Sequence, residues 1–126
     1  MSKTKIENFE KTIKQLKAFC LMPIENDRDK AGIIQAFEFT FEQSWKSLQK
    51  KLGDLGINAP SPKQAYSQAM SQNWIEAKDE ENWLQMIQDR NSTSHTYKQE
   101  LANQILKRIQ DIYLPLFEKL FSKINH

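Results

Sequence analysis

The spacing of apolar side chains constrains the fold of this chain more than any other feature. Along three segments these side chains recur at steps of three and four residues, with charged residues on the opposite side. The three stripes comprise Ile6, Phe9, Ile13, Leu16 and Cys20; Ile34, Phe37, Phe41, Trp45, Leu48 and Leu52; and Leu101, Ile105, Ile109, Ile112, Leu116 and Leu120. This periodicity is typical of amphipathic α-helices. The sequence therefore predicts three long helices, each with one face available for a core.

The composition favours helices over a sheet. Valine is absent and glycine occurs three times, whereas Lys, Gln, Glu, Leu and Ala, which favour helices, are plentiful. A chain of 126 residues with 39% hydrophobic residues has the size of one domain and can bury a core. We therefore expect one helical domain over residues 1–126.

Helix boundary signals divide the rest of the chain. Pro23 closes the first helix, because proline lacks the N–H group that a helix interior requires. Asn26 or Asp27 is a candidate N-cap for the second helix, and Gly53 is its candidate C-cap. The segment from Ser61 to Gln64 combines a serine cap with proline at the first helical position and predicts a third, short helix.

Two more helices follow. The acidic run from Asp79 to Glu81 predicts the first turn of a helix that carries Trp83. Thr96 to Gln99 fits a capping box for the last helix, and Pro115 should bend that helix rather than end it. The predicted fold is all-α, an antiparallel up-and-down four-helix bundle with an extra short helix.

Several classes of protein are excluded or disfavoured. The chain has no glycine-rich phosphate loop, no nucleophile elbow, and no carboxylate–histidine set with metal-ligand spacing. Its one cysteine, Cys20, cannot form an internal disulfide. A net charge of +2 is too small to indicate a nucleic-acid partner by itself. The chain has no membrane-spanning apolar run and no secretory signal, so we expect a cytoplasmic protein. Because it lacks a phosphate loop and a metal-ligand set, we also expect it to bind no metal or cofactor.

One polar stretch between two apolar helices carries the candidate chemistry. It runs from Asp89 to Tyr97 and contains Arg90 and His95. In a continuous helix these two side chains would lie about 140° apart, but a helix break near His95 would let both face one groove. An imidazole beside a guanidinium suits phosphodiester chemistry, because arginine binds phosphate and histidine transfers a proton. The alternative is that His95 is a helix cap or a satisfied surface group, because the Arg–His spacing by itself is weak evidence for catalysis.

A wider pattern gives this stretch a family. Arg90-Asn91-x-x-x-His95-x-Tyr97 closely resembles the R-x4-H-x-Y signature of HEPN domains. The chain also carries Phe37-Glu38, Glu42 and Trp45-Lys46 on the second helix, and Trp83 before Arg90. Over essentially its whole length it is similar to nucleotidyltransferase substrate-binding proteins, the HEPN halves of HEPN–MNT toxin–antitoxin pairs.

The resemblance implies a small all-α bundle that forms a homodimer and partners a minimal nucleotidyltransferase (MNT). It implies a metal-independent ribonuclease site in which Arg90 holds the phosphate, Asn91 orients it, and His95 takes the proton of an RNA 2′-hydroxyl. Tyr97 would match the hydroxyl that the partner adenylylates to silence the toxin. Two alternatives stay open: a non-catalytic substrate-binding subunit of the nucleotidyltransferase, and a plain helical-bundle interaction protein.

The remaining conspicuous residues have structural interpretations. The three tryptophans, Trp45, Trp74 and Trp83, are interpreted as core or interface anchors. Phe39 lies off the main apolar stripe and indicates an interface. We expect Glu38, Glu42 and Lys46 to form consecutive i,i+4 pairs that only support their helix.

Overall fold

The computed structural model describes residues 2–94 and 99–125, and within these ranges every regular element is helical. The elements in chain order are α1 (Ser2–Leu21), α2 (Asp27–Asp54), α3 (Pro62–Ser71), a 3₁₀ turn (Ala77–Asp79), α4 (Glu80–Thr93), α5 (Gln99–Arg108), a π-helical turn (Ile109–Tyr113) and α6 (Leu114–Ile124). The predicted all-α bundle with an extra short helix is confirmed. Its short helix is α3, and α5 continues through the π turn into α6. No described helix has the length and apolar character needed to cross a membrane.

Hydrogen bonds between α1 and α2 fix their antiparallel register. The Thr40 hydroxyl lies 3.1 Å from the Thr12 carbonyl oxygen and 2.7 Å from the Ala36 carbonyl oxygen of its own helix, and it shares one hydrogen between them. The Ser47 hydroxyl donates to the Lys5 carbonyl at 3.1 Å. Moving seven residues forward on α2 therefore corresponds to moving seven residues back on α1. Both hydroxyl-bearing side chains are buried. Because they are small and hydrogen-bonded, the two backbones can approach closely without leaving a polar group unsatisfied.

Aromatic rings join the helices at the centre of the core. Phe9 of α1 meets Phe117 of α6 edge-on, with the ring centroids 6.1 Å apart. Phe37 of α2 stacks on Tyr113 of the π turn at 5.6 Å, and Trp83 of α4 meets Phe117 at 6.0 Å. Burying one such ring contributes about 1.5–3 kcal/mol. Neither Tyr113 nor Phe117 belonged to the predicted stripe of the last helix.

Two of the predicted helix starts are confirmed. The Asn26 side chain accepts a hydrogen bond from the Asp29 backbone N–H at 3.0 Å and caps α2. The Ser61 hydroxyl accepts one from the Gln64 backbone N–H at 3.3 Å and caps α3, with Pro62 in the first turn. The capping box predicted at Thr96 lies outside the described residues.

The predicted C-cap of α2 at Gly53 is wrong. Gly53 lies inside the helix, and the chain leaves it through Gly56, whose φ is +79°. The Gly56 N–H bonds the Gly53 carbonyl at 2.9 Å, and the Ile57 N–H bonds the Leu52 carbonyl at 2.8 Å. These two bonds define a Schellman motif, which requires the left-handed conformation that glycine adopts most readily. Both glycines match the sequence signal, and only the backbone geometry identifies the cap.

Pro115 lies within a helix that does not end there. It occupies the first turn of α6, and the π turn immediately precedes it. In an α-helix the proline ring would clash with the carbonyl of Asp111, four residues earlier. In the π turn the Leu114 N–H instead bonds the Ile109 carbonyl, five residues earlier. The wider turn accommodates the proline, and the bend predicted from sequence stays a prediction.

Candidate active site

Arg90 lies near the end of α4 and forms an ion pair across to α2. Its Nη1 atom is 3.1 Å from Oε2 of Glu38. The preceding turns of α4 are anchored by Trp83 and Met86, which are buried in the core. The exposed fractions of the two side chains are 34% for Arg90 and 27% for Glu38. The guanidinium is thus oriented by a partly desolvated carboxylate while part of its surface stays open to solvent.

Thr93 completes this arrangement. Its Oγ1 atom lies 2.7 Å from Oε2 of Glu38, 2.7 Å from the Arg90 carbonyl oxygen and 3.3 Å from Arg90 Nη1. The hydroxyl can accept from the guanidinium and donate to one of the two oxygens. We call Glu38, Arg90 and Thr93 the outer cluster. It links the last turn of α4 to the middle of α2 through three mutually bonded side chains.

The other predicted site residues, Asn91, His95 and Tyr97, come after Arg90 in the sequence. Asn91 is exposed on the last turn of α4, and its carbonyl accepts the Ser94 hydroxyl at 3.3 Å. His95 and Tyr97 lie outside the described residues, so their positions stay predictions. The chain continues at Gln99, whose side-chain amide donates to Asp27 in the first turn of α2 at 3.0 Å.

The structure gives Glu38 a different role from the one expected. Glu42 and Lys46 form the predicted i,i+4 pair at 4.0 Å, but Glu38 pairs with Arg90 instead of extending that series along α2. A second carboxylate four residues away would repel the Glu38 charge, whereas the facing guanidinium attracts it. Glu38 is therefore part of the candidate site and not only a support of its own helix.

A second ion pair lies directly behind Arg90. Its carboxylate belongs to Asp89, whose side chain is 4% exposed. Arg108 donates to it from Nε at 2.7 Å and from Nη2 at 2.8 Å, and Gln85 donates at 3.0 Å. The Tyr113 hydroxyl also donates to it. We call Asp89, Arg108, Tyr113 and Gln85 the inner network.

The π turn explains why two residues of the last helix reach the same carboxylate. Arg108 and Tyr113 are five residues apart, which in an α-helix places them about 140° apart around the axis. A π turn bonds residues five apart, so it brings such a pair to the same side of the helix. Both side chains can then bind Asp89 on α4.

Burial and charge set the ionisation of the inner network. Burial raises the pKa of Tyr113, and its hydrogen bond to Asp89 raises it further. The hydroxyl therefore stays protonated and donates at neutral pH. The hydrogen bonds that Arg108 donates to Asp89 likewise raise the pKa of the Arg108 guanidinium, which keeps its charge. Among residues 2–94 and 99–125, no three His, Cys, Asp or Glu side chains are grouped so that they could hold a metal ion.

Sequence reasoning did not identify the inner network, although one signal was present. Asp89 falls three residues after the buried Met86, on the apolar face of α4, where a carboxylate is unusual. A charged residue at a core position predicts a buried partner. Arg108 and Tyr113 could not have been chosen as those partners, because the α-helical spacing of the last helix separates them.

Comparisons with known proteins find related chains and a similar fold. Residues 4–126 match the model of a family described as nucleotidyltransferase substrate binding protein like. A curated protein from Haemophilus influenzae (strain ATCC 51907 / DSM 11121 / KW20 / Rd), named "Probable ribonuclease HepT", is 33% identical over 116 residues; the match covers 85% of this chain and 78% of that protein. A crystal structure of a Thermus thermophilus protein superimposes with a TM-score of 0.86 and 31% identity; it covers 94% of this chain and 99% of the other.

Proposed function

Since the chain belongs to the nucleotidyltransferase substrate binding protein like family, we propose that it is the HEPN component of a HEPN–MNT module and acts as an endoribonuclease toxin. The printed name of its Haemophilus relative, a probable ribonuclease, supports this activity. The observation that carries the proposal is the outer cluster. It holds a partly exposed guanidinium on the helix end that leads into the segment containing His95.

In the proposed reaction, His95 takes the proton of a ribose 2′-hydroxyl, and that oxygen attacks the adjacent phosphorus. The bond from phosphorus to the 5′-oxygen of the next nucleotide breaks, and this oxygen takes up a proton from solvent. The products carry a 2′,3′-cyclic phosphate and a 5′-hydroxyl. The imidazole suits this role because its ordinary pKa is near 6.5. The reaction as proposed uses no metal and no cofactor.

Arg90 and Asn91 act on the phosphate. A guanidinium carries five N–H donors, and among the described side chains the contacts of Arg90 use Nη1 alone. Its other donors can meet the phosphate oxygens and stabilise the charge that develops on them. Asn91 is exposed beside it and can donate its side-chain amide to the same group.

Two copies of the chain form the active assembly in this proposal. One Arg and one His are few groups for cleaving a phosphodiester, and a two-fold axis would bring two such sites together. Phe39 supports an interface at this place, because it is 52% exposed and follows Glu38 in sequence. Light scattering at micromolar concentration should give the mass of a dimer, and Phe39→Asp should give that of a monomer. A monomeric wild-type protein would contradict the assembly.

The partner in this proposal is a minimal nucleotidyltransferase that transfers AMP from ATP to the Tyr97 hydroxyl, releasing pyrophosphate and the hydroxyl proton. The modification thereby blocks the groove of Arg90 and His95. The added phosphate is a bulky anion and would compete with RNA for the guanidinium. Incubation with the partner and ATP should add the mass of AMP to the wild-type chain but not to Tyr97→Phe. An adduct that persists in Tyr97→Phe would remove Tyr97 from the proposal.

The family description favours a second candidate function. A non-catalytic subunit that presents a substrate to a nucleotidyltransferase would keep the same bundle and the same partner. A plain interaction bundle, in which Arg90 and His95 are structural, is the third candidate. The non-catalytic subunit would bind its substrate without cleaving it, and the interaction bundle would bind only its protein partner.

One experiment separates these candidates. The purified protein is incubated in EDTA with RNA and with a matched strand whose cleavage site lacks the 2′-hydroxyl. The ribonuclease cleaves the RNA only, and His95→Ala loses at least about a hundredfold in rate while staying folded. His126→Ala is the matched control and should keep full activity. If His95→Ala cleaves like the wild type, the ribonuclease proposal is wrong.

A further inference from the structure

The inner network and the outer cluster are connected through two pairs of consecutive residues, one pair on α4 and one on α2. On α4, Asp89 belongs to the inner network and Arg90 to the outer cluster. On α2, Phe37 packs against the inner network and Glu38 belongs to the outer cluster. The residue that touches both inner neighbours is Tyr113. Its ring stacks on Phe37 at 5.6 Å with an interplanar angle of 21°, and its hydroxyl donates to Asp89.

The two backbone segments that carry the Arg90–Glu38 pair are therefore fixed from behind by one side chain. Asp89 cannot shift without losing hydrogen bonds from Arg108 and Tyr113, and Phe37 cannot shift without unstacking from the Tyr113 ring. Arg90 follows Asp89 and Glu38 follows Phe37 in the chain. The backbone therefore restrains Arg90 and Glu38 as well. Tyr113 can reach Asp89 together with Arg108 because the π turn brings both residues to one side of the helix.

The Asp89 carboxylate is 4% exposed and the Arg108 side chain 27%, so burying this pair costs hydration mainly at the carboxylate. An ion pair in a core seldom stabilises a fold more than apolar side chains of the same size, because both charges lose their hydration. Such pairs are best attested where they fix one arrangement among several. Tyr66, a second buried tyrosine among the residues that the structure describes, shows the contrast. Its hydroxyl bonds the neutral Ser44 hydroxyl at 2.6 Å instead of a charged group.

We infer that Tyr113, together with Asp89 and Arg108, positions the Arg90 guanidinium for binding the phosphate. Tyr113 is a positioning residue that acts through Arg90 and does not touch the substrate. The phosphate-binding part of this inference rests on the proposed function. The positioning part concerns the free protein and can be measured without RNA.

The first test compares two matched tyrosine variants. Tyr113→Phe and Tyr66→Phe each remove one buried, hydrogen-bonded hydroxyl and keep the ring. Both should stay folded and melt at a slightly lower temperature. The readout is the Nε–H NMR resonance of Arg90. We expect it to shift or broaden in Tyr113→Phe and to stay in place in Tyr66→Phe.

An Arg90 resonance that is unchanged in Tyr113→Phe, or equally changed in both variants, would overturn the inference. Arg108→Lys gives a second reading if Tyr113→Phe does not fold. Lysine keeps the positive charge but cannot make the two-pronged contact with Asp89. The Arg90 resonance should respond to this change as well, and an unchanged resonance there would also count against the inference.

The second test uses a non-cleavable RNA that lacks the 2′-hydroxyl at the cleavage site. Tyr113→Phe should lower the affinity for this strand about five- to tenfold, and Tyr66→Phe should leave it unchanged. In the Arg90→Ala background, Tyr113→Phe should cause no further loss, because the group it positions is gone. A loss of the same size in both backgrounds would show a merely structural role. If the wild type binds no RNA, the proposed function fails while the NMR test still decides the positioning.

Discussion

Two consecutive residues of α4, Asp89 and Arg90, each form an arginine–carboxylate pair, and the two pairs differ in almost every physical respect. The Asp89 pair with Arg108 is two-pronged, and its carboxylate is 4% exposed. The Arg90 pair with Glu38 has one contact at 3.1 Å, and both side chains keep about a third or a quarter of their surface exposed. Asp89 thus faces the interior, where its hydrogen-bond acceptors are filled, whereas the next residue, Arg90, faces a surface that is partly open to solvent.

The difference separates a pair whose hydrogen-bond capacity is filled from one that can still bind a ligand. Each carboxylate oxygen of Asp89 accepts two hydrogen bonds, so that pair has little capacity for a further ligand. Arg90 is oriented through Nη1 by Glu38 and Thr93, and its remaining N–H groups can meet a phosphate. We expect the inner pair to control the folding free energy and the outer pair to control binding and catalysis.

The largest effect should come from Asp89→Ala. Removing the carboxylate leaves Arg108 partly buried without its partner, which should lower the free energy of unfolding by about 3–5 kcal/mol. Urea denaturation followed by circular dichroism measures this change. Glu38→Ala is the control from the outer pair and should cost about 1 kcal/mol or less. Equal losses of unfolding free energy in Asp89→Ala and Glu38→Ala would show that the two ion pairs contribute equally to stability.

Arg90→Ala should separate function from stability. The rate of RNA cleavage should fall about a hundredfold or more, because the variant removes a donor to the developing phosphate charge. The free energy of unfolding should change by no more than about 1 kcal/mol, since the pair is partly solvated. Arg90→Lys should recover only part of the activity, because an ammonium lacks the planar fork. A variant that cleaves normally would show that the outer pair is structural too.

The alkaline limb of the stability curve should identify the inner network. The pKa of Tyr113 is raised in the folded state, so its contribution to stability is present below the unfolded pKa of about 10 and is lost as the pH rises above it. Between pH 9 and 11 the wild type should lose about 1 kcal/mol more than Tyr113→Phe does. Denaturant titrations at the two pH values measure this. Parallel curves would mean that Tyr113 ionises in the folded state as easily as in the unfolded chain.

The smallest effect should come from Glu38→Gln. The amide oxygen can still accept the Thr93 hydroxyl, but the side chain no longer repels a phosphate, so the affinity for non-cleavable RNA should rise about two- to fivefold. Fluorescence anisotropy with a labelled strand measures the affinity. Glu42→Gln, one turn along α2, is the matched control and should change it less. Weaker binding in Glu38→Gln would mean that the Glu38 charge is needed to hold Arg90 in place.

The sequence predicted the fold because the information for it is local. The apolar periodicity depends only on residues three and four apart, and the caps at Asn26 and Ser61 depend on side chains within one turn of the helix start. Gly53 shows where local reasoning fails. Two glycines three residues apart both fit a helix end, and only the geometry of the chain chose Gly56.

The candidate site was determined only in part by the sequence. The motif with Arg90 and Asn91 is a short, contiguous pattern, so it can be read directly from the chain. The partners of that motif are set by packing: Glu38 is 52 residues from Arg90, and Tyr113 is 24 residues from Asp89. No local rule relates residues so far apart. The π turn, which directly precedes the helical turn that holds Pro115, decides which side of the last helix faces Asp89, and the tertiary structure alone reveals it.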